Sequence, residues 1–218
     1  MEQAAFFFHT SFQTHGRIHR AFKEKCPGVR QVHIADDSVL PELKRNGGQP
    51  TKALEERLVQ YTAYAAAQGA SIGVCMCTTA GAVLQQLSQR VHVPMLQLNM
   101  PMLKRALTTG DRIAALVTSP TAAVATETLS AQVIGETGSH ATIRAILVPE
   151  AFAAMQTEGD KQKHDRLIAA YADAVAPAYD VIVMAQASMQ DAAALVTANT
   201  PVMTSIEPCV DHLAHYFL

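Results

Sequence analysis

The sequence predicts an α/β protein of two pseudo-symmetric lobes, each with a four-stranded, mainly parallel sheet flanked by helices. Apolar segments of strand length alternate with segments of helical periodicity along the whole 218-residue chain. Such alternation is typical of parallel sheets built from βα units. The pattern of the first half recurs in the second half, so we expect four strands in each lobe.

The internal repeat depends on two pairs of segments. The apolar run that ends at Cys77 corresponds to the run that ends at Gln186, and the run that ends at His9 corresponds to one that ends at Thr118. Both pairs have the same offset, which is half the length of the chain. Sequence identity between the halves is weak, but the shared offset indicates a duplication. We therefore predict that the lobes enclose an active site in a cleft, with Cys77 and Gln186 facing each other.

Breaks in the pattern divide the chain. We expect residues 1–99 together with residues 206–218 to form the first lobe, and residues 100–205 to form the second. The segment 46–50, Asn-Gly-Gly-Gln-Pro, also interrupts the pattern. Connecting loops commonly have this composition, so we favour a loop here over a mobile lid.

The predicted strands are short apolar runs bounded by turn residues. Apolar runs without alternation indicate strands that are buried on both faces, as in parallel sheets. Open α/β sheets bind ligands at the carboxyl ends of such strands. The strands are predicted at residues 4–9, 31–35, 71–76, 94–98, 112–117, 142–148, 181–185 and 202–205.

The predicted helices follow the strands and carry apolar residues at helical spacing. The clearest begins after Pro50 and places Leu54, Leu58 and Tyr61 on one stripe. The helices are predicted at residues 16–25, 51–68, 81–88, 100–107, 121–135, 160–175, 190–197 and 210–216.

Composition argues against several classes of protein. Hydrophobic residues make up 49% of the chain and charged residues 17%, which suits a compact soluble protein. The net charge of −2 and the lack of a basic tract argue against a nucleic-acid partner. No apolar stretch reaches membrane-span length, and the N-terminus lacks the features of a signal peptide. The four cysteines show no disulfide-scaffold spacing, so we expect a reduced, cytoplasmic protein.

The residues at the strand ends form the predicted site. They are rich in hydroxyl groups and begin helices, whose free N–H groups suit a carboxylate or another small anion. Ser and Thr are also common N-caps, so one such residue alone would indicate no more than a cap. Four such turns together favour a small-anion site. The residues are His9, Thr10, Ser11, Cys77, Thr78 and Thr79 in the first lobe, and Thr118, Ser119, Thr121, Gln186, Ala187 and Ser188 in the second.

Cys77 is the predicted catalytic residue. It closes a strand and precedes a helix, where the helix dipole and free N–H groups favour a thiolate. A thiolate there can act as a nucleophile or as a base. Cys75 lies within the strand and fits a buried, inert cysteine. His9 has two interpretations of equal weight, a site residue or a structural histidine at the sheet end.

No cofactor and no metal is predicted. The chain has no Gly-rich dinucleotide fingerprint, no phosphate loop and no Gly-x-Ser-x-Gly elbow. No lysine ends a strand as in a Schiff-base site. The pairs His15/His19 and His212/His215 have a helical spacing that suits a metal, but exposed helical histidines are commoner. Cofactor-free proton transfer at carbon is the chemistry that remains.

Three segments resemble the aspartate/glutamate/hydantoin racemase superfamily. Residues 76–80, Met-Cys-Thr-Thr-Ala, resemble its Ala-Cys-Asn-Thr-Ala signature. Residues 116–121, Leu-Val-Thr-Ser-Pro-Thr, are similar to its strand followed by Thr-x-x-Thr. Residues 180–189, Asp-Val-Ile-Val-Met-Ala-Gln-Ala-Ser-Met, are similar to its second motif, Asp-Ala-Ile-Val-Leu-Gly-Cys-Ala-Gly-Met. The resemblance spans most of the chain.

The resemblance implies a cofactor-independent enzyme that acts on a small carboxylate or amino acid. In the superfamily, one cysteine from each lobe lies on either face of the substrate α-carbon, and one removes a proton while the other returns one. Carried over by position, Cys77 is the first cysteine, and Thr78 and Thr79 bind the substrate carboxylate. Thr118 and Thr121 would hold polar groups of the substrate. Dimers are usual in the superfamily, so a homodimer is implied.

One position departs from the superfamily. Gln186 stands where the second cysteine belongs, and an amide has no useful acid–base chemistry near neutral pH. The hydroxyl of Ser188, two positions on, needs activation before it can act as a base. Three functions therefore stay open. A racemase-like isomerase leads on superfamily grounds, followed by a single-thiol decarboxylase of the arylmalonate type and by a carboxylate-binding protein without catalysis. In the decarboxylases the lone cysteine belongs to the second lobe, whereas Cys77 belongs to the first.

Overall fold

A computed structural model describes residues 3–218 of the chain. The strands are β1 (Ala4–His9), β2 (Arg30–Ala35), β3 (Ala70–Cys75), β4 (Met95–Gln97), β5 (Arg112–Val117), β6 (Thr142–Leu147), β7 (Val181–Met184) and β8 (Val202–Thr204). The α-helices are α1 (His15–Lys25), α2 (Val39–Arg45), α3 (Lys52–Ala67), α4 (Thr78–Gln86), α5 (Met100–Leu107), α6 (Pro120–Thr137), α7 (Pro149–Gln156), α8 (Lys161–Val175) and α9 (Ile206–Phe217).

The strands form two parallel sheets with the same topology. One sheet has the order β2-β1-β3-β4 and the other the order β6-β5-β7-β8. All of their strand pairs are parallel. Helices connect the strands, as parallel pairing requires. The predicted α/β fold class, with a four-stranded sheet in each half, is therefore confirmed.

The chain divides into two compact units. The first consists of the described residues up to Leu98 together with Cys209–Leu218, and the second consists of Asn99–Pro208. Helix α9 returns the chain to the first unit. There the ring of Phe217 meets that of Phe22 at a centroid distance of 6.1 Å, and Lys25 Nζ lies 2.9 Å from Asp211 Oδ1.

The core of the first unit is built on both faces of β1. Phe6 and Phe8 belong to a cluster with α3 and α4 on one face. Phe7 points to the other face, where its ring meets that of Phe22 on α1 at 5.2 Å, edge to face. Each buried Phe side chain contributes roughly 1.5–3 kcal/mol to the free energy of unfolding. A strand covered on both faces has no polar side, which explains the continuous apolar run.

The second unit repeats this arrangement on β5. Ile113, Ala115 and Val117 pack in one cluster, whereas Ala114 and Leu116 pack in another on the opposite face. Two pairs of equivalent hydrogen bonds show which residues of the two units correspond. The Phe8 carbonyl group accepts from Met76 N–H at 2.8 Å, and the Leu116 carbonyl group accepts from Ala185 N–H at 3.1 Å. In each unit, the carbonyl group of the next residue accepts from the residue that follows the neighbouring strand, β2 or β6. Thr10, rather than His9, is therefore the counterpart of Thr118.

The helix predictions need correction at several points. Helices α2 and α7 were not predicted, because each is short and contains a proline, Pro41 or Pro149. Helix α4 begins at Thr78 rather than Gly81. The predicted α-helix at 190–197 is instead a 3-10 helix, Ala192–Leu195, and after it Asp173 Oδ1 accepts hydrogen bonds from the backbone of Thr197 and Ala198, each at 2.8 Å.

The Gly-rich segment forms the turn that ends α2. Gly48 N–H donates to the Leu43 carbonyl group at 2.7 Å, and the φ angles of Gly47 and Gly48 are 62° and 88°. These positive values favour glycine. None of the helices formed by residues 3–218 has the length and apolar character that crossing a membrane requires.

Candidate active site

The carboxyl ends of β1 and β3 lie side by side in the first unit. The register pairs Phe8 with Cys75, so the residues that follow each strand leave the sheet at the same edge. Cys77 is the N-cap of α4, with extended backbone angles of −122° and 124°, and Thr78 and Thr79 form the first turn. The first-turn N–H groups of a helix have no intrahelical partner, and the dipole makes this end positive.

The two cysteines of this turn differ in accessibility. Cys75 is buried, and its thiol donates to the Cys77 carbonyl group at 3.4 Å. Burial raises the pKa of Cys75 well above its usual value. The Cys77 side chain is half-buried, whereas Cys26, Cys75 and Cys209 are buried. Cys77 is thus the cysteine that a small molecule can reach.

Lys44 is a candidate site residue that was not predicted from the sequence. It lies in the last turn of α2, which packs against α4. Burial lowers the pKa of Lys44, and the negative charge of a Cys77 thiolate acts in the opposite direction. The ammonium group is therefore close enough to Cys77 to interact with its charge. Because α2 itself was not predicted, no sequence signal connected Lys44 with the strand ends.

Gln97 is a second residue that was missed. It ends β4, beside Cys75 in the register, and it is 5% exposed. Its Oε1 atom is buried without a hydrogen-bond partner among the described residues. A Cβ atom on Gly81 of α4 would lie 3.3 Å from this oxygen, so the glycine leaves room for the amide. Gln97 thus offers a hydrogen-bond acceptor, without a partner among the described residues, at the same carboxyl end of the sheet as Cys77.

His9 lies among other histidines. Phe8 packs with Cys75, so the alternation along β1 directs His9 to the opposite face. There its Nε2 atom lies 3.0 Å from Nδ1 of His33, and the side chain is 1% exposed. Among residues 3–218, no three His, Cys, Asp or Glu side chains are arranged to hold a metal ion. A substrate-binding role of His9 stays a prediction, as does that of the buried Thr10.

The second unit has an amide at the turn equivalent to Cys77. Gln186 is the N-cap of the 3-10 helix Ala187–Met189, which contains Ser188. Its Oε1 atom accepts from the Thr118 backbone N–H at 2.6 Å and from the Thr118 hydroxyl group at 3.0 Å. The oxygen is therefore engaged within the unit, and the amide NH₂ is the part that can donate to a ligand.

Two further side chains shape the strand ends of the second unit. Ser119 caps α6, because its Oγ atom accepts from Ala122 N–H at 3.3 Å, and it lies 3.4 Å from the Thr121 hydroxyl group. Asn99 donates from Nδ2 to the Ala185 carbonyl group at 2.6 Å and is buried. Asn99 was not predicted as a site residue, because its contact with Ala185 joins residues far apart in the chain.

Two of three comparisons with known proteins give matches, and these agree with each other. A family model described as Asp/Glu/Hydantoin racemase matches residues 9–213. A comparison with curated protein sequences gives no match. Solved structures with the same fold include glutamate racemase from Aquifex pyrophilus, with a TM-score of 0.68 and 18% identity over 99% of this chain and 84% of that one.

Two other solved structures match with similar coverage. Aspartate racemase from Picrophilus torridus has a TM-score of 0.76 and 10% identity over 99% of this chain and 94% of that chain. A putative Asp/Glu racemase from Yersinia pestis has a TM-score of 0.71 and 12% identity over 99% of both chains. At these identities the likeness concerns the fold.

Proposed function

Because the chain belongs to the Asp/Glu/Hydantoin racemase family, we propose that it is a cofactor-independent isomerase that moves a proton at the α-carbon of a small carboxylate or amino acid. The observation that carries the proposal is the accessible Cys77 thiol at the N-cap of α4, beside Lys44. The racemase-like fold agrees with this activity. The substrate and the role of the cysteine are the parts that need testing.

The surroundings of Cys77 favour a carboxylate ligand. The first turn of α4 offers backbone N–H groups and the hydroxyl groups of Thr78 and Thr79. Lys44 adds a positive charge. Such groups bind carboxylates through charge-assisted hydrogen bonds. The proposed substrate therefore binds with its carboxylate at the start of α4 and its α-carbon against the sulfur of Cys77.

The proposed reaction begins with the Cys77 thiolate as base. The C–H bond at the α-carbon breaks, an S–H bond forms, and the electron pair moves into the carboxylate to give an enediolate. The helix N-terminus and the ammonium group of Lys44 stabilise the added negative charge, as preorganised donors do in other enzymes. Return of the proton from sulfur to carbon completes an exchange on one face.

The second unit supplies binding groups in this proposal. Thr118, Thr121, Gln186 and Ser188 would hold polar groups of the substrate. Gln186 cannot return a proton to the opposite face, because an amide does not ionise near neutral pH. Inversion therefore requires a donor other than Gln186.

The amide at Gln186 favours one second candidate. A single thiol is sufficient for a decarboxylase, in which carbon dioxide leaves and the Cys77 thiol protonates the resulting enediolate. This reaction needs protonation on one face only, so it tolerates the amide at position 186. Malonate-type acids with an aryl substituent are its proposed substrates.

Deuterium exchange with a panel of small acids tests the proposal. Amino acids, hydroxy acids and arylmalonates are incubated in D₂O, and NMR follows α-deuteration, loss of optical activity and release of carbon dioxide. Cys77→Ala should abolish the reaction, whereas Cys75→Ala, which removes the neighbouring thiol, should retain it. Exchange that survives in Cys77→Ala would contradict the proposal. Binding of acids without exchange or decarboxylation in the wild type would identify a carboxylate-binding protein.

A homodimer in the cytoplasm completes the proposal. All four cysteines are free, which agrees with a reducing compartment. Light scattering after size-exclusion chromatography should give twice the chain mass of 23.4 kDa. A monomer at micromolar concentration would contradict this part.

A further inference from the structure

Four histidine side chains meet in the first unit: His9 on β1, His15 and His19 on α1, and His33 on β2. We refer to them as the histidine cluster. The ring centroid of His33 lies 4.6 Å from that of His15, 5.3 Å from that of His9 and 5.5 Å from that of His19. His33 is therefore the centre of the cluster, which joins the first half of α1 to the sheet.

Hydrogen bonds fix the tautomers of two of these rings. Gln31 donates from Nε2 to the His19 carbonyl group at 3.1 Å, so its Oε1 atom, 3.0 Å from His33 Nε2, must accept from that nitrogen. A neutral His33 then has its lone pair at Nδ1, which accepts from His9 Nε2 at 3.0 Å. The remaining acceptor lone pair of this series of hydrogen bonds, at His9 Nδ1, is buried without a partner among the described residues.

This network has no favourable position for an additional proton. A proton on Nδ1 of His33 would either set two N–H groups against each other across the 3.0 Å contact or shift the proton of His9 to Nδ1, which has no buried acceptor among the described residues. A proton on Nδ1 of His9 would place a charge in a ring that is 1% exposed. Burying a charge without a partner is costly, so the rings must either stay neutral or lose their packing.

The titratable groups that act on His9 and His33 are other histidines. His15 acts on His9, and His9, His15 and His19 act on His33. None of these can balance a positive charge. The carboxylate that follows β2, Asp36, is itself engaged, because Oδ2 accepts from the Tyr61 hydroxyl group at 2.8 Å.

The two halves of α1 are held differently. The second half is anchored by Phe22, which is buried between the rings of Phe7 and Phe217. The first half contacts the sheet through His15 and His19, together with Ile18, which is buried. Acid changes the charge of histidines and leaves phenylalanine packing unchanged.

We propose that the histidine cluster is an acid-sensitive contact: in mild acid it takes up protons, and the first half of α1 leaves the sheet while Phe22 keeps the second half in place. The segment 10–14 that joins β1 to α1 moves with it. This segment contains Thr10 and Ser11, so mild acid alters the strand end beside Cys77 before the unit unfolds. This inference is independent of the chemistry proposed for Cys77.

The direction of the pH dependence follows from the pKa values. Burial, and then the charge of neighbouring histidines, lower the pKa of His9 to about 4 and that of His33 to about 3. Once the first half of α1 has left the sheet, the rings of His9 and His33 are open to water, where the ordinary histidine pKa is about 6.5. The closed form is thus fully favoured above about pH 6.5 and loses stability as the pH falls towards 4. Each ring that gains a proton on opening raises the opening constant about tenfold per pH unit.

Amide hydrogen exchange followed by NMR tests the proposal between pH 7 and pH 5, with EDTA present to exclude metals. Protection factors of residues 18–20 should fall at least about tenfold per pH unit below pH 6. Protection of Phe22 and of helix α6, which contains no histidine, should stay constant. An equal loss in all three segments, or no loss in any, would overturn the proposal.

His33→Gln is the decisive variant. Glutamine can donate to Gln31 and accept from His9 without titrating, so the slope for residues 18–20 should fall by about tenfold per pH unit. His140→Gln, at an exposed position in the second unit, is the matched control and should keep the wild-type slope.

If His33→Gln does not fold, the exposed His15→Gln replaces it and should shift opening to lower pH, because one neighbouring charge is lost. Opening at the wild-type pH in the folded variant would refute the cluster's role.

Discussion

The turn after β3 and the turn after β7 have the same backbone and different chemistry. Cys77 and Gln186 are both N-caps with extended angles, −122° and 124° against −139° and 136°. The cysteine precedes a nine-residue helix, whereas the glutamine precedes a single 3-10 turn. The thiol is half-buried and reachable, but the amide oxygen is held by Thr118. A repeated backbone can thus keep its shape while one copy carries an accessible thiol and the other an amide held by hydrogen bonds.

Selective alkylation of the cysteines is the test with the largest expected effect. Burial raises the pKa of Cys209 to about 12 and that of Cys75 well above its usual value. The thiolate fraction of Cys209 at neutral pH is therefore roughly a thousandfold below that of an ordinary cysteine. Iodoacetamide should label Cys77 first, and a carboxylate ligand should protect it. Peptide mass spectrometry that finds Cys26 or Cys209 labelled, with Cys77 unmodified, would contradict a reactive Cys77.

Gln186→Cys tests whether the two turns are chemically interchangeable. It provides a thiol at the position equivalent to Cys77, and an acid–base group is worth roughly a hundred- to ten-thousandfold in rate. The variant should introduce or accelerate racemization of a simple α-substituted acid, measured by polarimetry and deuterium exchange. Gln186→Ser is the matched control and should gain nothing. A wild type that already racemizes at full rate would instead require another proton donor.

Gln186→Met tests the structural role of the amide. The variant removes the acceptor of the Thr118 N–H and hydroxyl groups, and an unsatisfied buried donor costs about 1–3 kcal/mol. Urea denaturation should give a lower free energy of unfolding by that amount. Gln186→Glu keeps an oxygen acceptor at this position and should lose less. Equal losses in the two variants would argue against the hydrogen bonds as the cause.

Lys44→Met tests the charge beside Cys77. Removal of one ammonium group from a half-buried position should raise KM for a carboxylate by about tenfold, since a charged hydrogen bond contributes roughly 1.5 kcal/mol. Arg45→Met, at the exposed neighbouring position of α2, is the control and should have no such effect. An unchanged KM in Lys44→Met would place the substrate carboxylate elsewhere.

The sequence predicted the strands well because their physical cause is local. A strand such as β5 is apolar from Ile113 onward since both of its faces are covered, and no distant residue is needed to recognise it. The turns that begin with Cys77 and Gln186 were predicted for the same reason.

Long-range contacts explain what the sequence did not predict. His9 lies beside His33 and Gln186 beside Thr118, pairs separated by 24 and 68 residues. Nothing in one segment specifies its partner. The predicted α-helix at 190–197 was wrong, and the backbone of Thr197 is bound instead by the carboxylate of Asp173 on α8. The prediction that Cys77 faces Gln186 concerns the arrangement of the two units and stays a prediction.

The return of α9 has a consequence for biosynthesis. Residues 209–218 belong to the first unit, yet a ribosome makes them after the whole second unit. The first unit therefore cannot complete its packing until Phe217 and Asp211 have been made and reach Phe22 and Lys25. Until then, the apolar surface of α1 is uncovered. Nascent chains that end before residue 209 are therefore the ones that would need chaperones most.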